Sequence, residues 1–204
     1  MGCVLSEGVI GLVGVVIGAL LTPLLIGAKE CWVARASRRK NAQYLAVRVV
    51  SLLDGFLEKC ADVVGDDGLS HNQREPDGLK SPQVSTPQLD FDSLKVDWRS
   101  IPPNLMYEVL SLPNQVTAAN QRIHGIFEFN YDPPDFDEFF EERQIQFGEI
   151  GLLAASLADR LRAMYSVPDR DYLHWDPVKF LREGKDLASS KRLQRFAKLA
   201  ESRQ

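Results

Sequence analysis

Apolar positions along the chain form one unbroken run and then several helical stripes. The run covers residues 9–28, VIGLVGVVIGALLTPLLIGA, which are twenty residues without a charge. A helix of that length rises about 1.5 Å per residue and is roughly 30 Å long, the thickness of a bilayer's hydrocarbon core. The run therefore predicts a transmembrane helix and a single-pass membrane protein.

After residue 40, apolar positions recur every three or four residues, which is typical of amphipathic helices. We expect Pro113 to interrupt this pattern, and no breaker separates the apolar run from the first stripe. The pattern predicts helices over residues 41–64, 103–112, 114–130 and 136–165 and from residue 177. The fold class is therefore all-α, with an N-terminal transmembrane helix followed by a cytoplasmic bundle of three to four substantial helices.

A long Pro-, Gly- and Asp-rich segment separates the first stripe from the second. Residues 66–100 show no sustained period, which predicts a flexible loop that is either disordered or draped over the surface. The expected organisation is a short extracytoplasmic N-terminus (1–8), a transmembrane helix (9–28), a basic juxtamembrane segment (29–40), a cytoplasmic helical domain (41–180) and a basic C-terminal helix or tail (181–204).

Charges around the apolar run predict its orientation. Glu7 is the only charged residue before the run, whereas five basic residues and one acid lie within residues 29–40. Positive residues tend to stay cytoplasmic, so the N-terminus should face out and the C-terminal domain should be cytoplasmic. A cleaved signal peptide fits less well, because a positive n-region and a small-x-small site are missing. The first residues, MGCVLS, match a myristoylation pattern, which would require the opposite topology.

Two features of this region are candidate contact sites. The basic side chains of Arg35, Arg38, Arg39 and Lys40 are expected to contact anionic lipid headgroups. The second feature is a face of small residues in the apolar run. On a helix these residues fall within an arc of about 80°, and they are Gly11, Gly14, Gly18 and Thr22. This face contains a GxxxG pattern and predicts a homo-oligomer packed through the transmembrane helix, the alternative being a lone helix that happens to be glycine-rich.

Carboxylates are densest at the start of the 136–165 helix, where Asp135, Asp137, Glu138, Glu141 and Glu142 occur. Di-metal bundles use such carboxylates together with Glu-x-x-His, a motif this chain does not contain. The helical count places the last four on the side away from the apolar stripe. They are expected to be a solvated face, and a metal-binding bundle or membrane-bound enzyme that uses the acidic helix 135–149 is the alternative.

Arg143 is a candidate charge in the core, because it falls on the apolar stripe between Phe139 and Phe147. An isolated buried charge is very costly. We therefore expect Arg143 either to snorkel or to pair with an unidentified carboxylate, and the functional alternative is an anion- or partner-binding residue.

Charge and motifs argue against several function classes. Sixteen acidic and six basic residues lie within residues 65–150, between basic ends, which argues against a nucleic-acid groove. The three histidines are scattered, the three cysteines form no metal-binding spacing, and catalytic motifs such as G-x-S-x-G or HExxH do not occur. No catalytic residue, metal ligand or cofactor is predicted, and an enzyme is not favoured.

The sequence thus predicts a membrane-tethered, non-enzymatic interaction or assembly module. Its expected partners are the lipid bilayer, a second copy of the transmembrane helix and an unidentified protein. An exposed basic tail with Lys191, Arg192, Arg195 and Lys198 would suit a lipid or protein partner. A pore subunit is disfavoured, because the apolar run contains no polar residue beyond Thr22.

Overall fold

Helices account for nearly all the regular structure of the chain. The computed structural model describes the backbone of residues 4–171 and 175–201, and the side chains of residues 29–171 and 175–201. Within these residues the elements are α1 (Val4–Gly65), a 3₁₀ turn (Trp98–Ser100), α2 (Pro103–Phe129), α3 (Asp137–Tyr165) and α4 (Pro177–Glu201), and no strand forms. The prediction of an all-α bundle is confirmed.

The central helix of the bundle is α3, which packs against α1, α2 and α4. Contacts near its start reach the end of α1, at Asp66, and contacts near its end reach back to Asp54. Antiparallel contacts of the same kind join Glu142 and Arg160 of α3 to Arg122 and Glu108 of α2. The start of α3 therefore lies at the same end of the bundle as the ends of α1 and α2.

Three helices pack closely together at Gly151 of α3. A Cβ atom at this position would lie 2.7 Å from Cδ1 of Leu181 in α4 and 3.0 Å from Cβ of Cys60 in α1. Only glycine leaves room for three helices to approach so closely. Gly151 therefore fixes the point at which α1 and α4 meet over α3.

A single helix, α1, has two different parts. Residues 29–41 are exposed without exception, whereas from Ala42 onward the apolar stripe is buried in the core. In the described part of the chain, no helix meets the length and apolarity needed to cross a membrane. The apolar run 9–28 lies outside the residues whose side chains the structure describes.

The expected break at Pro113 is wrong, because α2 is continuous from Pro103 to Phe129. Pro113 has no N–H to donate to the carbonyl of Val109, one turn earlier. Val109, Leu112 and Val116 are nevertheless buried on one stripe, and they hold both sides of the proline against the bundle. The hydroxyl of Thr117 donates to the Pro113 carbonyl at 3.0 Å. Packing outweighs the single lost hydrogen bond.

The segment 66–100 is a loop draped over the bundle. Its apolar side chains Leu89, Phe91 and Leu94 are buried in the core, and the ring of Phe91 makes an edge contact with Trp98 at 5.9 Å. Short turns in which an aspartate accepts the N–H two residues on shape the loop between these anchors. The flexibility of this segment stays a prediction.

Candidate functional site

Arg143 lies in the core at the junction of α1, α3 and the 66–100 loop. It is only 5 % exposed, and its Nη2 lies 3.0 Å from Oδ2 of Asp66, the residue that follows α1. The same nitrogen donates to the carbonyl of Val84 at 2.7 Å. The guanidinium also lies 5.6 Å from the ring centre of Phe139. The carboxylate that the sequence could not identify is Asp66.

Asp66 organises the loop as well as the ion pair. Its carboxylate accepts the backbone N–H groups of Gly68, Gln83 and Val84 at 3.0 to 3.1 Å. Burial lowers the pKa of the Arg143 guanidinium, and the charge of Asp66 opposes that effect. Arg143 and Asp66 therefore fasten the loop to both α1 and α3, which is a structural role.

The expectation of a solvated acidic face on α3 is wrong for two of its members. Glu142 is 0 % exposed, and Glu141 is also buried. One Glu142 oxygen lies 2.6 Å from Nε of Arg122 in α2, and the other pairs with Arg192 in α4. Arginines from the two flanking helices cover these carboxylates, and a helical count on α3 alone cannot reveal that.

Two arginines near the end of α4 form ion pairs with the same carboxylates. Arg195 pairs with Glu141, and its Nη1 lies 2.9 Å from Glu138. Glu138 also accepts from the side chain of Asn130 at the end of α2, and both contacts lower the pKa of its carboxyl. Arg192 and Arg195 are therefore engaged within the bundle, which corrects the expectation of an exposed basic tail for these two residues, whereas Lys191 and Lys198 are exposed.

The acidic helix 135–149 does not assemble a metal site in the described part of the chain, where no three or more His, Cys, Asp or Glu side chains are arranged to hold a metal ion. The carboxylates within residues 135–142 lie near arginines and lysines instead. Asp135, for example, lies 2.6 Å from Arg74 and 3.2 Å from Lys80, and both cations lower the pKa of its carboxyl.

A second network of charges joins α1 to the end of α3, and the sequence pattern did not predict it. Arg162 pairs with Asp54 of α1 and with Asp159, and its Nε donates to the carbonyl of Pro168 at 3.0 Å. Arg170 lies 2.8 Å from Asp54 and 3.2 Å from Asp159. Asp54, Asp159 and Arg162 sit in otherwise ordinary helical patterns, and Arg170 lies in the loop that follows α3. Only the spatial pairing identifies the network.

The four residues expected to contact lipid headgroups lie on the exposed part of α1. Arg35, Arg38, Arg39 and Lys40 are all exposed, and none is ion-paired with another residue of the described ranges. The predicted packing face of Gly11, Gly14, Gly18 and Thr22 lies outside the residues whose side chains are described. Arg143 is therefore paired inside the bundle, whereas these four basic residues of α1 have no ion-pair partner among the described residues.

No family model, curated protein or solved structure matches the chain.

Proposed function

We propose that the chain is a single-pass membrane protein, with its N-terminus outside, that presents a cytoplasmic helical bundle as an interaction or assembly module. The observation that carries this proposal is the continuity of α1. The helix that supplies the core from Ala42 to Val64 extends without a break to Val4, through the uncharged run 9–28. An apolar stretch of twenty residues suits the bilayer core, and the same helix would hold the bundle beside it.

The exposed part of α1, residues 29–41, supports the membrane tether. Most helical stability in proteins comes from packing of one helix face against the rest of the fold, and residues 29–41 receive no such packing from the bundle. It carries five basic residues and one acid. An anionic headgroup layer would supply the contacts and countercharges that the bundle does not.

The arrangement of these charges favours a helix that passes through the headgroup layer. At about 100° per residue, Arg35, Arg38 and Arg39 fall within an arc of about 100°, and Lys40 widens the basic arc to about 200°, more than half of the helix circumference. A helix lying flat on a membrane needs its basic side chains on one face, opposite an apolar one. Basic groups on several sides, with the exposed Trp32 near the apolar run, suit headgroups that surround the helix.

An interaction role is favoured over catalysis by what the charged residues of α3 contact. Arg143, Glu141 and Glu142 are paired with other residues of this chain and stabilise its helix packing. Their charges therefore serve the fold of the bundle.

The tether is tested by washing native membranes at alkaline pH and measuring how much of the chain sediments. We expect the wild type to remain with the membrane. The double variant Val16→Lys/Leu20→Lys should be released, because a charge at the centre of a span costs about 3 kcal/mol. Val47→Lys, at an exposed position of the same helix, is the matched control and should sediment like the wild type. Release of the wild type would overturn the tether.

The interaction role is tested by crosslinking the full-length chain in its native membrane and identifying the products by mass spectrometry. A discrete protein crosslinked to the bundle is the expected result. Recovery of the uncrosslinked chain alone would contradict the interaction role, whatever the outcome of the membrane test.

A further inference from the structure

The arginines in the exposed part of α1 share one face of the helix, and we call Arg35, Arg38 and Arg39 the arginine face. Each of them lies seven positions before a buried residue of the same helix, and these buried residues are Ala42, Leu45 and Ala46. Seven positions are nearly two helical turns. The arginine face is therefore on the same side of α1 as the core, and the bundle projects from α1 over it.

The arginine face is not covered by the bundle that projects over it. All of its side chains are exposed, and none forms an ion pair with a described residue. Arginines inside the bundle differ, since Arg143 pairs with Asp66 and Arg162 pairs with Asp54. The guanidinium groups of the arginine face receive no carboxylate from the described residues, so they are available to an anion from outside the chain.

The distance of the arginine face from the apolar run indicates which anion can reach it in a tethered chain. At 1.5 Å per residue, roughly 10 Å of helix separates residue 28 from Arg35, and roughly 15 Å separates it from Arg38. The headgroup layer on each side of the hydrocarbon core is only about 5–8 Å thick. A helix tilt of about 20° shortens these distances by less than about a tenth. Arg38 and Arg39 therefore lie beyond the diester phosphates of ordinary lipids, whereas Arg35 lies close to them.

We propose that the arginine face binds an anionic lipid whose headgroup carries phosphate monoesters beyond the diester, as a phosphoinositide does. The sugar of such a headgroup would hold its phosphates beside Arg38 and Arg39, in the space between the headgroup layer and the projecting bundle. The inference rests on the membrane tether proposed above, and it names the lipid class that the tethered helix binds.

The chemistry of arginine favours this class over phosphatidylserine. A phosphate monoester carries a charge of about −1.5 to −2 at pH 7, and a guanidinium group binds it through two parallel hydrogen bonds. Phosphatidylserine has a smaller charge, which lies within the layer that Arg38 and Arg39 extend beyond. A lysine is a point charge that lacks this geometry, and the basic residues on this face are all arginines.

The test measures energy transfer from the protein to lipids in vesicles. The full-length Cys3→Ser chain is labelled with a donor fluorophore at Cys31, which is exposed, whereas Cys60 is buried. It is reconstituted into phosphatidylcholine vesicles that contain a trace of acyl-labelled phosphatidylinositol bisphosphate in both leaflets, or the same fraction of acyl-labelled phosphatidylserine. We expect several-fold more transfer to the phosphoinositide, because each basic residue near the surface contributes to the attraction.

Two double variants separate the arginine face from basic charge in general. Arg38→Gln/Arg39→Gln should remove most of the preference for the phosphoinositide. Arg48→Gln/Lys59→Gln removes two basic residues that are exposed on α1 within the bundle, and it should leave the preference unchanged. Glutamine is a good helix former, so circular dichroism should show the same helix content for both variants.

The proposal is overturned if the wild type shows equal transfer to the two lipids, or if Arg38→Gln/Arg39→Gln keeps the preference. Equal losses in the two double variants would also overturn it, because general basic charge would then explain the attraction. Soluble inositol trisphosphate should compete weakly, and competition as strong as that of the unlabelled lipid would assign the face to a soluble ligand instead. A chain that remains in the vesicles at alkaline pH without a lipid preference excludes only this inference, whereas a chain that is released contradicts the tether itself.

Discussion

The two described parts of α1 differ in everything except their backbone. Residues 29–41 bury no side chain and carry five basic groups that form no ion pair with any described residue, whereas residues 42–65 supply a stripe of buried apolar side chains. Helix packing explains the second part and leaves the first unexplained. A continuous helix can therefore lie in two environments. The bundle core surrounds residues 42–65, and we infer that a second environment, outside the bundle, surrounds residues 29–41.

The largest contrast should come from removing a buried arginine and an exposed one. Arg143→Met leaves the buried carboxylate of Asp66 without its cation and should cost roughly 3–5 kcal/mol. Arg38→Met, on the exposed part of α1, should change the free energy of unfolding by less than about 0.5 kcal/mol. Urea unfolding of both variants measures the difference, and equal losses would show that Arg143 is not a paired core charge.

Truncation of an apolar side chain should also affect the free energy of unfolding differently in the two parts of α1. Leu53→Ala removes a fully buried side chain and should cost about 3 kcal/mol, since it opens a cavity. Val33→Ala, at an exposed position, should cost less than about 0.5 kcal/mol in micelles. A comparable loss at Val33 would mean that residues 29–41 pack against the bundle, contrary to our account.

Sequence patterns predicted the helices well and the charges poorly. The apolar stripes located the core because helical period is a property of one segment, and they placed Arg143 on the stripe of α3. The partners of Arg143 and Glu142 come from segments distant along the chain, so no local pattern could identify them. The predicted break at Pro113 is wrong for a similar reason, because burial of Val109 and Val116 outweighs the hydrogen bond lost at the proline.

A similar contrast exists within α4. Its first half buries Pro177, Leu181 and Ala188, whereas no side chain is buried after Ala188 in the described residues, and ion pairs hold that end. Glu142→Gln should therefore cost about 2 kcal/mol, because a buried charged acceptor is lost. Glu149→Gln, an exposed position of the same helix, is the control. Equal unfolding midpoints for the two variants would contradict the account.

The smallest effect is expected at Asp132. Its pKa is raised, so ionisation costs the folded state free energy above that raised pKa, and the cost disappears below the ordinary carboxyl pKa of 3.8. Asp132→Asn should slightly raise Tm at pH 7, and the gain should vanish as the pH falls toward 3.8. A lower Tm at pH 7 would indicate that the Asp132 carboxylate stabilises the fold.

The chain's own cysteines test the membrane topology most directly. Cys31 is exposed, whereas Cys60 is buried and burial raises the pKa of its thiol, which protects it from labelling. With a membrane-impermeant maleimide, we expect intact cells to label Cys3 alone, and opened cells to label Cys31 as well. The Cys3→Ser and Cys31→Ser variants assign each label. Labelling of Cys31 in intact cells, or protection of Cys3 there, would contradict a span with its N-terminus outside.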